Sequence, residues 1–209
     1  MTGVARPPGL AIVPANEASW EDLRAVVGTR GNTSRCWCQR YKLHPGESWA
    51  GVGADELAFR LRTQTECGHP ESTTTSGLVA YLDAEPVGWC PVEPRTEYPR
   101  MLRNNRVPWE GRAEDKADGG VWAVTCLVTR VGFRRRGVSR ALARAAVGFA
   151  RERGARALEG YPITTTDVLL EELHVGTRDT FAAAGFAEVG HPTPRRVVMR
   201  IDFFRPSAP

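Results

Sequence analysis

The apolar run Val121-Trp122-Ala123-Val124-Thr125-Cys126-Leu127-Val128 is followed by the basic turn Arg134-Arg135-Arg136-Gly137, and from Val138 the sequence takes up a helical period. Val138, Leu142, Ala145, Ala146 and Phe149 fall on one face of a helix reaching Arg153, with Arg140, Arg144 and Arg151 on the other. Gly154 ends it, and Arg156 to Glu159 reads as another strand. A strand-helix-strand unit of this length predicts two parallel strands joined by a right-handed crossover. It also places a glycine-containing basic turn at a helix N-terminus. There the first N–H groups have no intrahelical partner and the helix dipole favours an anion. The turn therefore predicts a phosphate site, although neither G-x-x-x-x-G-K-[ST] nor a G-x-G-x-x-G after a strand is present.

Charge is concentrated on the same segment. The chain carries +4 overall, yet between Arg130 and Arg153 eight arginines stand against one acid, Glu152. The rest of the chain is therefore net acidic. A polyphosphate ligand would be drawn to this patch, and so would a nucleic-acid backbone. Against the nucleic-acid reading, the rest of the chain is net acidic, and only Phe133 interleaves these arginines as a stacking aromatic.

At 209 residues the chain is long enough for one domain with a core of its own. We expect a short lead over residues 1–9, one domain over 10–203 and a tail over 204–209. The N-terminus lacks the apolar centre of a signal peptide, and no apolar run reaches membrane-span length. Five cysteines do not make an even disulfide framework, and Cys90 and Cys126 sit in strand-like runs. A reducing, cytoplasmic location is the expectation. Cys36, Cys38, Cys67 and His69 offer four potential zinc ligands, but each pair is separated by one residue where structural zinc sites use longer spacings. No metal is expected.

Along the chain, Leu10 to Val13 reads as a strand and Asn16 to Val27 as a helix with Trp20, Leu23 and Val27 on one face. An irregular stretch runs from Thr29 to Gly53, then a helix from Ala54 to Cys67. Gly77 to Asp83 and Pro86 to Val92 form a hairpin. Glu93 to Gly120 is a long polar insertion with a short helix near Tyr98 to Asn104. Loops of that length are usually functional or disordered. One strand is expected from Val121 to Thr129. After a second polar loop to Gly176 come a helix from Thr177 to Ala184 and strands over Phe186–Val189 and Arg196–Phe203, the last alternating Met199, Ile201 and Phe203 against Val198, Arg200 and Asp202.

Arg134 and Gly137 fill the first two fixed positions of R-x-x-G-x-[GA], with Ser139 at the third, a small residue in place of Gly or Ala. That pattern is the pyrophosphate signature of the GNAT N-acetyltransferases, and the sequence resembles that superfamily. Thr180-Phe181-Ala182-Ala183-Ala184-Gly185-Phe186 looks like the family's late helix, and the order of elements from Leu10 to Phe203 is similar to the family's. The resemblance implies an α+β fold, with a central mixed, mostly antiparallel, twisted sheet of about 6–7 strands flanked by helices and a parallel β-α-β unit around the cofactor loop.

It further implies transfer of an acetyl group from acetyl-CoA to a primary amine by direct attack. In the family the strand before the loop bulges away from its neighbour and the pantetheine arm lies in the gap. By position, backbone groups of Leu127, Val128 and Thr129 would hold the arm. Arg134, Arg135, Arg136, Gly137, Val138, Ser139 and Arg140 would hold the phosphates. Phe181 stands where many members carry a tyrosine acid, and is left as a cofactor contact without a hydroxyl. Tyr161 is the first replacement acid, with packing at a strand end as its alternative. Glu159 is a candidate base, or a salt-bridged carboxylate. His174 is a candidate base, or a surface loop residue. Trp37, Tyr41 and Trp49 form a possible aromatic wall of the acceptor pocket, or belong to the core. Glu110, Glu114, Asp115, Asp118, Asp167, Glu171 and Glu172 would suit a cationic amine. The acceptor class is open between a small polyamine, an aminoglycoside-like antibiotic and a peptide N-terminus. A homodimer is common in such proteins. A non-catalytic acyl-CoA sensor is the alternative that Phe181 raises.

Overall fold

The computed structural model describes residues 9–28, 31 and 33–203. The expected lead, apart from Gly9, and the expected tail lie outside the described residues. One sheet organises the fold. Its strands are Leu10–Pro14 (β1), Gly77–Leu82 (β2), Glu85–Pro94 (β3), Val121–Val124 (β4), Val128–Thr129 (β5), Ala157–Gly160 (β6), Ala187–Thr193 (β7) and Arg196–Asp202 (β8). They lie in the order β1-β2-β3-β4-β6-β8-β7, and β5 pairs with β3 off this path. β4 and β6 are parallel and every other pair is antiparallel. The mixed sheet and its parallel pair agree with the expectation. The strand count exceeds it because the run from Val121 to Thr129 is broken in two.

The break is a β-bulge. Val124 faces Val92 on β3, whereas Val128 faces Trp89. Four steps on one strand match three on the other, so one residue between Thr125 and Leu127 is extra. Below the bulge β4 pairs with β6 as far as Val124 and Gly160. Beyond that register the two chains part.

Helices cover both faces. Val138–Glu152 (α6) lies on one face, burying Val138, Leu142, Ala143, Ala146, Phe149 and Ala150 against Leu78, Ala80, Val92, Val124 and Leu158. The buried stripe is wider than the periodicity predicts: Ala143 and Ala150 are inside, and Ala145 is only partly so. On the other face Trp20–Val27 (α1) and Ala54–Thr65 (α4) pack Leu23, Val26, Val27, Leu57 and Leu61 on Val79, Trp89, Cys126 and Val128. α1 starts later than expected because Ser19 caps it, its hydroxyl accepting from the Asp22 amide at 3.0 Å. Thr33–Cys36 (α2) and Trp49–Val52 (α3) are single turns within the stretch read as irregular. The β2–β3 hairpin turns on Asp83 and Ala84, both at positive φ, as a two-residue primed turn requires.

The insertion is an ordered part of the core. Pro99–Asn104 (α5) lies within it, and Tyr98, Met101 and Val107 pack with Ala123, Tyr161 and Val198. The late helix is short, Arg178–Ala182 (α7), capped by the Thr177 hydroxyl. No helix among the described residues is long and apolar enough to cross a membrane.

Candidate active site

The basic turn has the backbone geometry of an anion site. Gly137 caps α6 at φ 80° and Arg135 also lies at positive φ, 60°. Left-handed residues two positions apart curl successive N–H groups toward one side, the geometry of an anion nest. No side chain caps α6, so the first-turn amides of Val138, Ser139 and Arg140 remain available to a ligand. Ser139 is tied to the bulged strand, its hydroxyl 3.1 Å from that of Thr129.

From this turn a cleft of about 1080 Å³ runs across the bulge. Arg134, Arg135, Gly137, Val138, Ser139 and Arg140 line one end and Thr125 to Arg130 its floor. Arg40, Tyr41, Trp49, Glu171 and His174 line the other. Arg136 does not line it; its guanidinium lies 5.4 Å over the Phe133 ring. The backbone of the floor alternates. Arg130 donates to the Val87 carbonyl at 2.9 Å, which puts the amides of Val128 and Arg130 on the β3 side and those of Leu127 and Thr129 on the gap side. The Val128 amide thus faces β3 and not the gap. Leu127 does face the gap, but its N–H already donates to the His174 carbonyl at 2.6 Å.

A second pocket of about 710 Å³ opens beyond this end and shares Arg40, Tyr41, Trp49 and His174 with the cleft. His174 therefore stands where the two meet. Its Nδ1 lies 2.7 Å from the Glu171 carbonyl, which can only accept, so the proton is on Nδ1 and the lone pair on Nε2. Nε2 is 3.4 Å from Arg40 Nη1. Burial first, then the positive charges of Arg40 and Arg196, lower the pKa below the ordinary 6.5 and keep the ring neutral. Because a guanidinium can only donate, Arg40 occupies that lone pair, and Nε2 can take up a proton only once Arg40 turns away.

Tyr161 and Glu159 lie elsewhere. Glu159 is wholly buried, with Arg112 Nη2 at 2.6 Å, Arg200 Nη1 at 2.9 Å and Arg95 Nη1 at 3.2 Å. The Tyr161 hydroxyl donates to it at 2.9 Å. Burial pushes the Glu159 carboxyl up, but Arg112, Arg95 and this hydroxyl outweigh it and hold it below the ordinary glutamate value. Burial and the Glu159 charge push the Tyr161 phenol well up. Both side chains face the insertion rather than the cleft, because β6 alternates and it is Leu158 that packs under α6. Neither is placed to serve as acid or base.

Two aromatic expectations also need correction. Trp37 belongs to the core, stacked on Trp20 at 5.7 Å; Tyr41 and Trp49 line both pockets. Phe181 is fully buried, edge-on to Phe186 at 5.1 Å and pressed against Gly160 and Gly176, and does not border the cleft. The adjacent Thr180 does border it, with its hydroxyl 3.0 Å from that of Thr177. Thr180, Arg40 and Arg196 escaped the sequence reading. Only Thr180 had a local signal, its place beside Phe181. The possible zinc set is dispersed: Cys38 lies against Cys126, Cys67 donates to the Thr65 hydroxyl at 3.2 Å, and His69 pairs with Glu71 at 3.2 Å. Among the described residues no group of three or more His, Cys, Asp or Glu is arranged to hold a metal ion.

Residues 38–165 match the acetyltransferase (GNAT) family. The chain belongs to that family. The matched span runs from the loop before α3 through the bulge and the basic turn to just past β6, so it contains the cleft floor, the basic-turn end and, at the other end, Arg40, Tyr41 and Trp49 but not Glu171 or His174. Solved structures agree on the fold. An N-acetyltransferase from Staphylococcus aureus Mu50 superposes with TM-score 0.52 at 12% identity, covering 92% of this chain and 98% of that one. A GCN5-related N-acetyltransferase from Kribbella flavida gives 0.50 at 16% identity, covering 93% and 98%. The aminoglycoside acetyltransferase AAC(6')-Ib, solved in complex with coenzyme A, gives 0.51 at 18% identity, covering 92% and 94%. No curated protein sequence matches the chain. Membership in the GNAT family makes the protein an acyltransferase by fold and family.

Proposed function

We propose that this GNAT protein moves an acetyl group from acetyl-CoA to a primary amine of a small molecule or peptide. One observation carries the reading: a single cleft joins the phosphate-binding turn at α6, the bulged strand and His174. The amides of Val138, Ser139 and Arg140, with Arg134 and Arg135 beside them, hold the pyrophosphate by charge-assisted hydrogen bonds. Backbone groups of Thr129 and, once released from His174, Leu127 hold the arm. Tyr41 and Trp49 wall the acceptor.

Acetyl-CoA supplies an activated thioester. The chain's residues must then hold the amine in attacking geometry and take its proton. His174 Nε2 is the acceptor for that proton, at the junction of cofactor cleft and acceptor pocket. Solvent entering the open cleft protonates the departing thiolate, a task for which Phe181 offers no hydroxyl.

The buried Phe181 and the occupied Leu127 amide favour a second reading, an acyl-CoA sensor that binds without turnover. Calorimetric titration with acetyl-CoA, followed by a thiol-release assay over a panel of amines, separates the two. Micromolar binding with turnover supports the enzyme; binding without turnover on any amine supports the sensor. Absence of binding would discard both, and a DNA duplex in parallel would reveal a nucleic-acid role for the arginine patch.

A further inference from the structure

Three of the acids expected to attract a cationic amine are consumed elsewhere. Glu110 pairs with Arg106, Glu114 with Arg95, Arg112 and Arg200, and Asp118 with Arg156. None of these three lines either pocket. The acceptor pocket has the opposite character. Arg40, Arg100, Arg195 and Arg196 line it, against one carboxylate, Glu172. Glu172 is itself engaged with Arg195 at 3.6 Å. Among the described residues no carboxylate lies within ion-pair distance of Arg40, Arg100 or Arg196.

Arg196 is the most constrained of the four. It is half-buried, and its Nε and Nη2 both donate to the Tyr161 carbonyl, at 3.2 and 2.6 Å. The guanidinium plane is therefore fixed, and Nη1 is left to donate to something else. A pre-oriented guanidinium with free donors suits a carboxylate or a phosphorus oxyanion. Nearby cations raise the cost of a second positive charge, so a polyamine or an aminoglycoside would be repelled.

We propose that the second pocket selects small primary amines that also carry an anionic group, a carboxylate or a phosphonate, bound by Arg196 with Arg100 and Arg40 around it. This rests on the acetyltransfer reading for the amine but not for the anion. The arrangement is chemically coherent at the reacting end as well. A field that disfavours cations beside His174 also favours the neutral, nucleophilic form of the amine.

The test compares matched acceptors with the full-length protein and acetyl-CoA: L-amino acids and aminoalkylphosphonates against the amino-acid amides, the decarboxylated amines and spermidine. The anionic members should have kcat/KM at least tenfold above their neutral or cationic partners. Arg100→Ala and Arg196→Gln should each erase most of that preference without changing acetyl-CoA affinity. Arg100 is exposed, so its variant stays informative if loss of the Tyr161 contact unfolds Arg196→Gln. The N-acetylated products, titrated calorimetrically without cofactor, give a readout independent of turnover. Product binding that requires the anion and Arg100 supports the pocket assignment even if acetyl-CoA fails to bind, a result that would overturn only the acetyltransfer reading. Equal or better turnover or binding of the amides, decarboxylated amines or spermidine would overturn the proposal, as would a preference that survives both substitutions.

Discussion

The Leu127 amide in the bulge donates to the backbone carbonyl of His174 at 2.6 Å, across the point where β4 and β6 have parted. The gap in the sheet is thus closed at one place by the chain itself. This bond connects two parts that sequence places far apart, the strand before the basic turn and the loop before α7. It brings the imidazole of His174 to the end of the cofactor cleft, and any arm lying along the bulge must take over the Leu127 donor. The positions of His174 and the bulge are therefore coupled.

His174→Gln should lower kcat by about 10²–10⁴-fold, the usual contribution of a general base, while acetyl-CoA affinity is retained. The acid limb of the kcat/KM profile should lie below 6.5, because burial and the arginine charges depress this histidine and it is active when neutral. Arg40→Gln removes one of those charges, so protonation becomes easier and the limb should move to higher pH. A steady-state pH series on the three proteins decides it; a limb that ignores Arg40 removes His174 from the base role.

Gly137→Asp should weaken acetyl-CoA at least tenfold, about 1.4 kcal/mol or more. The substitution puts a Cβ at φ 80° and a negative charge where first-turn amides of α6 converge. Calorimetry reads the affinity, and far-ultraviolet circular dichroism checks that α6 persists. Affinity equal to the parent would mean that the phosphates lie elsewhere.

The basic turn and its helix were legible because all their parts are local. A strand, a glycine at positive φ and an amphipathic helix follow one another in sequence, and each carries its own signal. The bulge was legible only through the family resemblance, since Thr125, Cys126 and Leu127 look like an uninterrupted strand and the extra residue appears only in the register against β3. Tyr161 and Glu159 lie away from the cleft for a long-range reason. Alternation on β6 says that Leu158 and Glu159 face opposite ways, but not which face the insertion covers. Arg95 and Arg112 come from that insertion, and they turn Glu159 from a possible base into a structural anion. The arginines of the second pocket come from the loop before α3, from α5, from the β7–β8 turn and from the start of β8, so no local pattern groups them.

Glu159→Gln should destabilise the protein by about 3–5 kcal/mol, since it leaves the buried guanidinium of Arg95 without its wholly buried counter-ion. In the parent this carboxyl is held below its ordinary value, so its contribution is fully present above the unfolded-state pKa and is lost as pH falls through the lower folded one. Acid should therefore destabilise the parent more than the variant over that window. Denaturant titrations at several pH values measure both. Acetyl-CoA affinity of the folded variant should match the parent, and a selective loss of kcat with unchanged stability would restore Glu159 as a catalytic group.

Gly160→Ala should cost about 1–3 kcal/mol of stability through overpacking. A Cβ at this position would lie 2.2 Å from Cε1 of Phe181, and that ring cannot retreat, because Phe186 stands edge-on at 5.1 Å and Gly176 backs its other side. The same contact explains what Phe181 does in place of a catalytic tyrosine: it fills the space left by a glycine at the end of β6. Phe181→Leu alone should also destabilise, by leaving a cavity. Combined, the two changes compensate in part, so the double variant should be more stable than the sum of the single losses predicts. Urea unfolding of the three variants and the parent closes the cycle. Strict additivity would mean that Gly160 and Phe181 do not share this contact.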